Sequence, residues 1–203
     1  MRVCSRPAAL ALVWALSLVA LSPGAARPQS TVVVHIETDL GTITAEIDTV
    51  RAPITATNFL KYVDMGMYSG GTFYRAVRLD NQPEDDVKIE VIQGGIARGR
   101  RDDQLPAIPM EPTGVTGIEH LDGVLSIARA GPETGRGEFF ICIGPQPELD
   151  QGGRRNPDGW GFAAFGRVVE GMDVVRRIQA RETDGQYFPE GERVGILGMR
   201  RAG

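Results

Sequence analysis

The sequence predicts a mainly β protein, an antiparallel barrel capped by two α-helices. Short apolar or alternating segments recur along the chain, each bounded by glycines or polar clusters, which is how barrels and sandwiches read. Only two segments space their apolar residues as a helix does. The resulting order of strands, helix, strands, helix and strand fits an antiparallel barrel better than a parallel βαβ arrangement.

Residues 31–36 are rich in β-branched side chains and residues 42–47 follow the turn Asp39-Leu40-Gly41, so the pair reads as a hairpin. Pro53 suits a first helical turn, where its missing N–H costs nothing. Ile54, Phe59, Leu60, Val63 and Met67 then approximate one face, and a helix is expected over residues 53–65. Strands are expected over residues 72–77, 89–93, 124–129, 138–143 and 163–168. Met172, Val175 and Ile178 recur at helical spacing, and a strand over residues 194–199 closes the sheet. Residues 78–88 and 151–161, the latter rich in Gly, Asn, Pro and Asp, read as surface loops.

A length of 203 residues suits one domain with an appendage, and 42% hydrophobic with 24% charged residues places the chain among globular proteins. The appendage is N-terminal. Arg2 and Arg6 precede an apolar run over residues 8–21, and Ser22-Pro23-Gly24-Ala25-Ala26 ends it with small residues. Residues 1–26 therefore read as a signal peptide cleaved after Ala26, and residues 27–203 as the domain. The run falls short of the ~20 residues a spanning helix needs, so no stable membrane anchor is expected after processing. Export to the periplasm or out of the cell follows. Cys4 lies before the apolar run, against a lipid-modified cysteine, and Cys142 is left as a lone thiol expected in the core. Loss of Arg2 and Arg6 takes the formal charge from −4 to −6, and no basic block offers a footprint for nucleic acid. His35 and His120 are isolated, so no metal site is expected, and Glu84-Asp85-Asp86 reads as a solvated loop.

Phe73-Tyr74-Arg75, Gln93-Gly94-Gly95 and Gly137-Glu138-Phe139-Phe140-Ile141-Cys142 resemble, in order, three strand motifs of the cyclophilins: aromatic-x-Arg, Gln-Gly-Gly and Phe-Phe-Ile. Ala52-Pro53, Thr57-Asn58-Phe59, Tyr68, Gly71-Thr72-Phe73 and residues 165–172 match in the same order, over nearly the whole chain after the leader. The resemblance implies an eight-stranded antiparallel barrel closed by two helices, with an active groove on its outer face. It also implies peptidyl-prolyl cis/trans isomerase activity on proline-containing polypeptides, with no cofactor or metal. Position by position, Arg75 matches the catalytic arginine, Gln93 the glutamine that contacts substrate backbone, Phe140 the ring of the proline pocket and Leu149 a pocket wall. Ala128, Arg129 and Ala130 match the strand that pairs with the substrate.

Such a reaction breaks no bond, so it needs neither nucleophile nor metal. It must lower a rotational barrier of ~18–20 kcal/mol. A fixed cation that donates to the prolyl nitrogen favours the twisted amide, because that lone pair is free only once resonance is lost.

Departures from the family pattern gather in the groove. Glu90 stands where a second pocket phenylalanine is usual, Glu138 where a glutamine is, and Glu148 where a ring is, while Phe162 corresponds roughly to the histidine of the pocket edge. The stretch from Arg75 to Gln93 is also longer than in typical members. Strand parity puts Ile89 and Val91 on the side of Gln93 and turns Glu90 away, and Phe162 or Trp160 can supply a further wall. Glu138 and Phe162 are therefore counted with Ile89 and Val91 as substrate-binding candidates. Two readings stand: a monomeric isomerase that assists the folding of exported proteins, favoured by intact Arg75, Gln93 and Phe140, and a proline-peptide-binding chaperone module with little turnover, favoured by the acidic replacements.

Overall fold

β-Branched and aromatic runs form eight strands: β1 (Thr31–Thr38), β2 (Gly41–Asp48), β3 (Gly71–Val77), β4 (Val91–Gly95), β5 (Val124–Ile127), β6 (Phe139–Cys142), β7 (Ala163–Glu170) and β8 (Val194–Arg201). They pair antiparallel throughout and close into a barrel in the order β1-β2-β7-β5-β6-β4-β3-β8. Two amphipathic helices pack on it, α1 (Pro53–Asp64) on β2, β7 and β8, and α3 (Met172–Gln179) on β2, β3 and β4. A single helical turn, α2 (Thr113–Thr116), has no counterpart in the sequence reading. The structure, a computed structural model, describes Met1 and residues 31–202; the leader expected over residues 1–26 lies, Met1 apart, outside the described residues.

Alternation along the strands divides the apolar side chains into two clusters. Phe59, Tyr68, Phe73, Phe139 and Phe165 meet inside the barrel, with the Phe59 ring 4.9 Å from Phe165 and 5.7 Å from Phe139. Each such ring, fully buried, stabilises the fold by about 1.5–3 kcal/mol. On the outer face Val77, Ile89, Val91, Phe140, Cys142 and Leu149 form a smaller cluster. β6 shows the division residue by residue, with Phe139 and Ile141 inward and Phe140 and Cys142 outward. Cys142 is buried as expected, but behind the outer cluster, and burial pushes its thiol pKa up, away from reactivity.

The expected strands and helices are all present, with their ends shifted for local reasons. β4 begins at Val91 rather than Ile89 because the buried Gln82 side chain occupies both backbone groups of Ile89. It accepts from Ile89 N–H at 3.2 Å and donates to its carbonyl at 2.8 Å. β5 stops at Ile127 rather than residue 129, since the N–H groups of Ala130 and Gly131 turn to Thr134 Oγ1. Residues 78–88 and 151–161 are irregular, as expected, but they touch: Arg155 pairs with Asp85 at 3.1 Å, so this part of the acidic run is bound rather than merely solvated.

α1 starts at Pro53 with no cap from its own N-terminal side chain. The cap comes from far along the chain. Buried Glu111 accepts from Ile54 N–H (3.1 Å), Thr55 N–H (2.7 Å) and Thr55 Oγ1 (2.7 Å), placing a carboxylate where the helix leaves N–H groups unpaired. Glu111→Ala should therefore lower stability by about 1–3 kcal/mol, with Glu111→Gln in between, read from the midpoint of urea unfolding at unchanged slope.

Candidate active site

The outer face carries a row of side chains that runs across the strands. Arg75 of β3 lies opposite Gln93 of β4, Gln93 opposite Phe140 of β6, and Phe140 opposite Ser126 of β5. A register shift in β3 between Phe73 and Arg75 makes this possible. It is a bulge, and it turns Tyr74 and Arg75 outward together, while Phe73 and Ala76 on either side stay in the barrel. Gly94 is required by close approach, since a Cβ there would stand 2.8 Å from the Phe73 ring and 3.0 Å from the Thr72 carbonyl, whereas a Cβ on Gly95 would meet only the end of the Glu138 side chain, at 2.1 Å.

Arg75 is locked from two sides. Its Nη1 donates to Gln93 Oε1 at 2.9 Å, and its Nε (3.1 Å) and Nη2 both donate to Gln186 Oε1. Gln93 is held in turn, donating from Nε2 to the Tyr74 hydroxyl at 2.7 Å. Burial lowers the guanidinium pKa, yet an arginine stays protonated. Three of its five donors are used, which leaves one N–H on each terminal nitrogen.

Beside Arg75 the outer cluster opens into a cavity of about 110 Å³. Phe140 and Leu149 lie at its base, Ile89, Val91 and Phe162 wall it, and Arg75, Gln93, Ala128 and Arg129 rim it. The space is smaller than the ~150 Å³ that admits benzene, and suits a five-membered ring. Phe162 meets Phe140 edge-on at 5.1 Å, whereas Trp160, the alternative wall, is exposed. Arg129 turns its side chain away to hold the loop over residues 151–161. It donates to the Gly161 carbonyl at 2.8 Å and pairs with Asp158 at 2.7 Å, drawing that carboxyl down to about 2. Gly161, at φ +65, lets the loop come down on Leu149, because a Cβ there would stand 2.5 Å from the backbone of Leu149 and Asp150.

The three acidic replacements lie off this cavity. Glu90 faces α3, within reach of Gln179 Nε2, and Glu148 pairs with Arg154 at 2.9 Å. Glu138 points over Gly95 toward Tyr74. Of the expected substrate contacts, then, Glu138 and Ala130 lie beside the cavity, and the other nine residues line it.

A family model for "Cyclophilin type peptidyl-prolyl cis-trans isomerase/CLD" matches residues 33–201. The chain belongs to the cyclophilin family. Peptidyl-prolyl cis-trans isomerase A of Dickeya dadantii is 31% identical over 175 residues, covering 86% of this chain and 84% of that protein. Peptidyl-prolyl cis-trans isomerase-like 1 of Neurospora crassa is 36% identical over 162 residues, covering 78% and 88%. In fold, the chain is similar to a cyclophilin type isomerase of Cryptosporidium parvum with a TM-score of 0.65 at 19% identity, over 85% of this chain and 98% of that one.

One part of this cyclophilin groove was missed in the sequence. His120, read in the sequence only as an isolated histidine with no metal site, stacks under the Phe140 ring at 5.9 Å and 17°. Its Nδ1 meets Asp150 Oδ1 at 2.7 Å and its Nε2 meets Ser126 Oγ at 3.0 Å. Although this is a Ser-His-Asp arrangement, Ser126 and His120 are buried, so no substrate carbonyl reaches the hydroxyl. The trio braces the pocket ring from behind. Gln186 and Tyr187 were missed as well, and Tyr187 stacks its ring 5.7 Å from the Arg75 guanidinium.

Glu138 is strained electrostatically. Burial raises its pKa, the Tyr74 hydroxyl and Arg101 only partly oppose this, and Oε2 has no hydrogen-bond partner. A carboxyl with a raised folded pKa costs stability when ionised. The cost is full above that pKa and disappears as pH falls below the unfolded value of ~4.3. Glu138→Gln should accordingly melt at higher temperature than the parent at neutral pH, with the two converging below about pH 4. Thermal unfolding across that range checks it, and a lower melting temperature for the variant at neutral pH would mean the carboxylate is net stabilising.

Proposed function

We propose that this groove is the active site of a prolyl isomerase, that Arg75 is its catalytic cation, and that its substrates are exported proline-containing polypeptides. The observation that carries the reading is Arg75, fixed by two neutral amides, at the rim of a cavity floored by Phe140 and Leu149 and the size of a prolyl ring. The ring enters over Phe140 and leaves the prolyl nitrogen near the free guanidinium N–H groups. Gln93 Nε2 has one N–H beyond that given to Tyr74, available to the carbonyl before the proline. Residues 128–130 lie past the end of β5, with the N–H groups of Ala128 and Ala130 given to the Glu138 carbonyl and Thr134 Oγ1, so the substrate backbone would pair at Arg129. As the amide twists, its nitrogen becomes pyramidal and accepts from Arg75, so the interaction strengthens mainly in the transition state.

Turnover is favoured over a binding module because Arg75, Gln93 and Phe140 meet at the cavity, whereas the acidic replacements that motivate the latter lie off it. Export is supported by Arg2, Arg6, the apolar run over residues 8–21 and the small residues up to Ala26. Among the described residues no helix is long and apolar enough to cross a membrane. Action on proteins folding in the periplasm or outside the cell follows from that reading.

Arg75→Ala should cut isomerisation, measured by exchange NMR on a proline peptide, by at least ~100-fold while peptide affinity falls much less. Arg75→Lys should rescue it poorly, because a flexible ammonium lacks the guanidinium's fork. Phe140→Ala should weaken binding and turnover together. Undiminished exchange in folded Arg75→Ala would transfer the groove to the binding-module reading. N-terminal sequencing of exported protein should begin after Ala26; a start at Met1 would refute cleavage.

A further inference from the structure

We infer that Gln186 is a positioning residue for catalysis, and that the two loops over residues 78–88 and 151–161 act on the reaction by setting it. This rests on the assignment of Arg75 as the catalytic cation. Gln186 Oε1 takes the Nε and Nη2 donors of Arg75, the side-on fork of the guanidinium. That contact fixes the rotation of the guanidinium plane and leaves the outer N–H groups free. Gln93 alone, holding one Nη1 donor, would allow the plane to swing about that bond.

The partner is a neutral amide, and the choice matters. A carboxylate in its place would cancel the positive field that the prolyl nitrogen is meant to meet, whereas an amide oxygen orients the cation and leaves its charge intact. Its orientation is decided by its surroundings. The oxygen faces a donor-only guanidinium, and Nε2 faces Asp85 Oδ2 at 3.3 Å. Asp85 also receives Arg155 Nη2 at 3.1 Å, and Arg155 Nη1 donates to the Val87 carbonyl at 2.6 Å. Arg155 thus occupies Asp85 and keeps it on the far side of the amide from Arg75.

The backbone around Gln186 is held just as closely. Its carbonyl accepts from Ala76 N–H at 2.9 Å and Phe188 N–H donates to the Tyr74 carbonyl at 3.0 Å, so the segment lies along β3 at the bulge. Asn81, from the first loop, donates to the Gly185 carbonyl at 3.1 Å. Side chains from both loops and from the stretch before β8 therefore converge behind one guanidinium.

Gln186→Met keeps the length and removes the acceptor. Turnover by exchange NMR should fall about 10- to 100-fold, the scale of a misplaced reacting group, while peptide affinity by calorimetry shifts by less than about 3-fold. In the Arg75→Ala background the same substitution should cost nothing more. Asp85→Asn should cost a smaller factor, about 3-fold, by weakening the hold on the amide. In the parent protein the Arg75 Nε proton should exchange slowly with water, and faster in both variants. Full turnover in Gln186→Met, or an equal loss with and without Arg75, would overturn the proposal. Should Gln186→Met fail to fold by circular dichroism, an Nε proton in the parent as labile as a free arginine's would overturn it instead. Retained turnover in Arg75→Ala alone is a different failure, that of the active-site assignment.

Discussion

The register that sets Arg75 against Gln93, and Gln93 against Phe140, is the constraint on which the groove depends. Neighbouring strands lie ~4.8 Å apart, so this row brings cation, amide and ring within one residue's reach of each other. A slip of one residue in any of the three strands would send its side chain into the barrel. Closure of the sheet removes the edges along which such a slip would occur. The irregularity in β3, the bulge at Tyr74, supplies two outward side chains in succession, Tyr74 to hold Gln93 and Arg75 at the cavity rim.

Around Arg75 the groove is held by neutral groups. Gln93, Gln186 and Tyr74 keep Arg75 in place, and the carboxylates Asp85 and Glu138 stand one group further out. This suits a reaction in which no bond breaks, where the protein's contribution is a preorganised dipole beside a ring-shaped hollow. By contrast the exposed ion pairs, such as Arg201 with Asp64 or Arg98 with Glu190, contribute little to stability because water screens them.

Much of the fold was legible because its signals are local. Alternation and β-branching located all eight strands, and Pro53 and the spacing of Met172, Val175 and Ile178 located both long helices. Parity along one strand was enough to place Ile89 and Val91 in the pocket wall and to turn Glu90 away. The family motifs pointed to Arg75, Gln93, Phe140 and Leu149, all of which the fold gathers at one cavity. The ends of β4 and β5 were misplaced because side chains, Gln82 and Thr134, took over backbone groups that a strand would otherwise pair.

What the sequence by itself determined is the set of elements, the inward or outward side of most strand residues, and the residue types that line the cavity. Those follow from periodicity and motif, which are properties of neighbouring residues. What only the tertiary structure decided is who supports them. Gln186 reaches Arg75 across 111 positions, Glu111 caps Thr55 across 56, and His120 meets Asp150 across 30 to brace the pocket ring. Contacts at such separations leave no periodic trace in the chain, and they exist only once barrel closure brings distant loops to the same face.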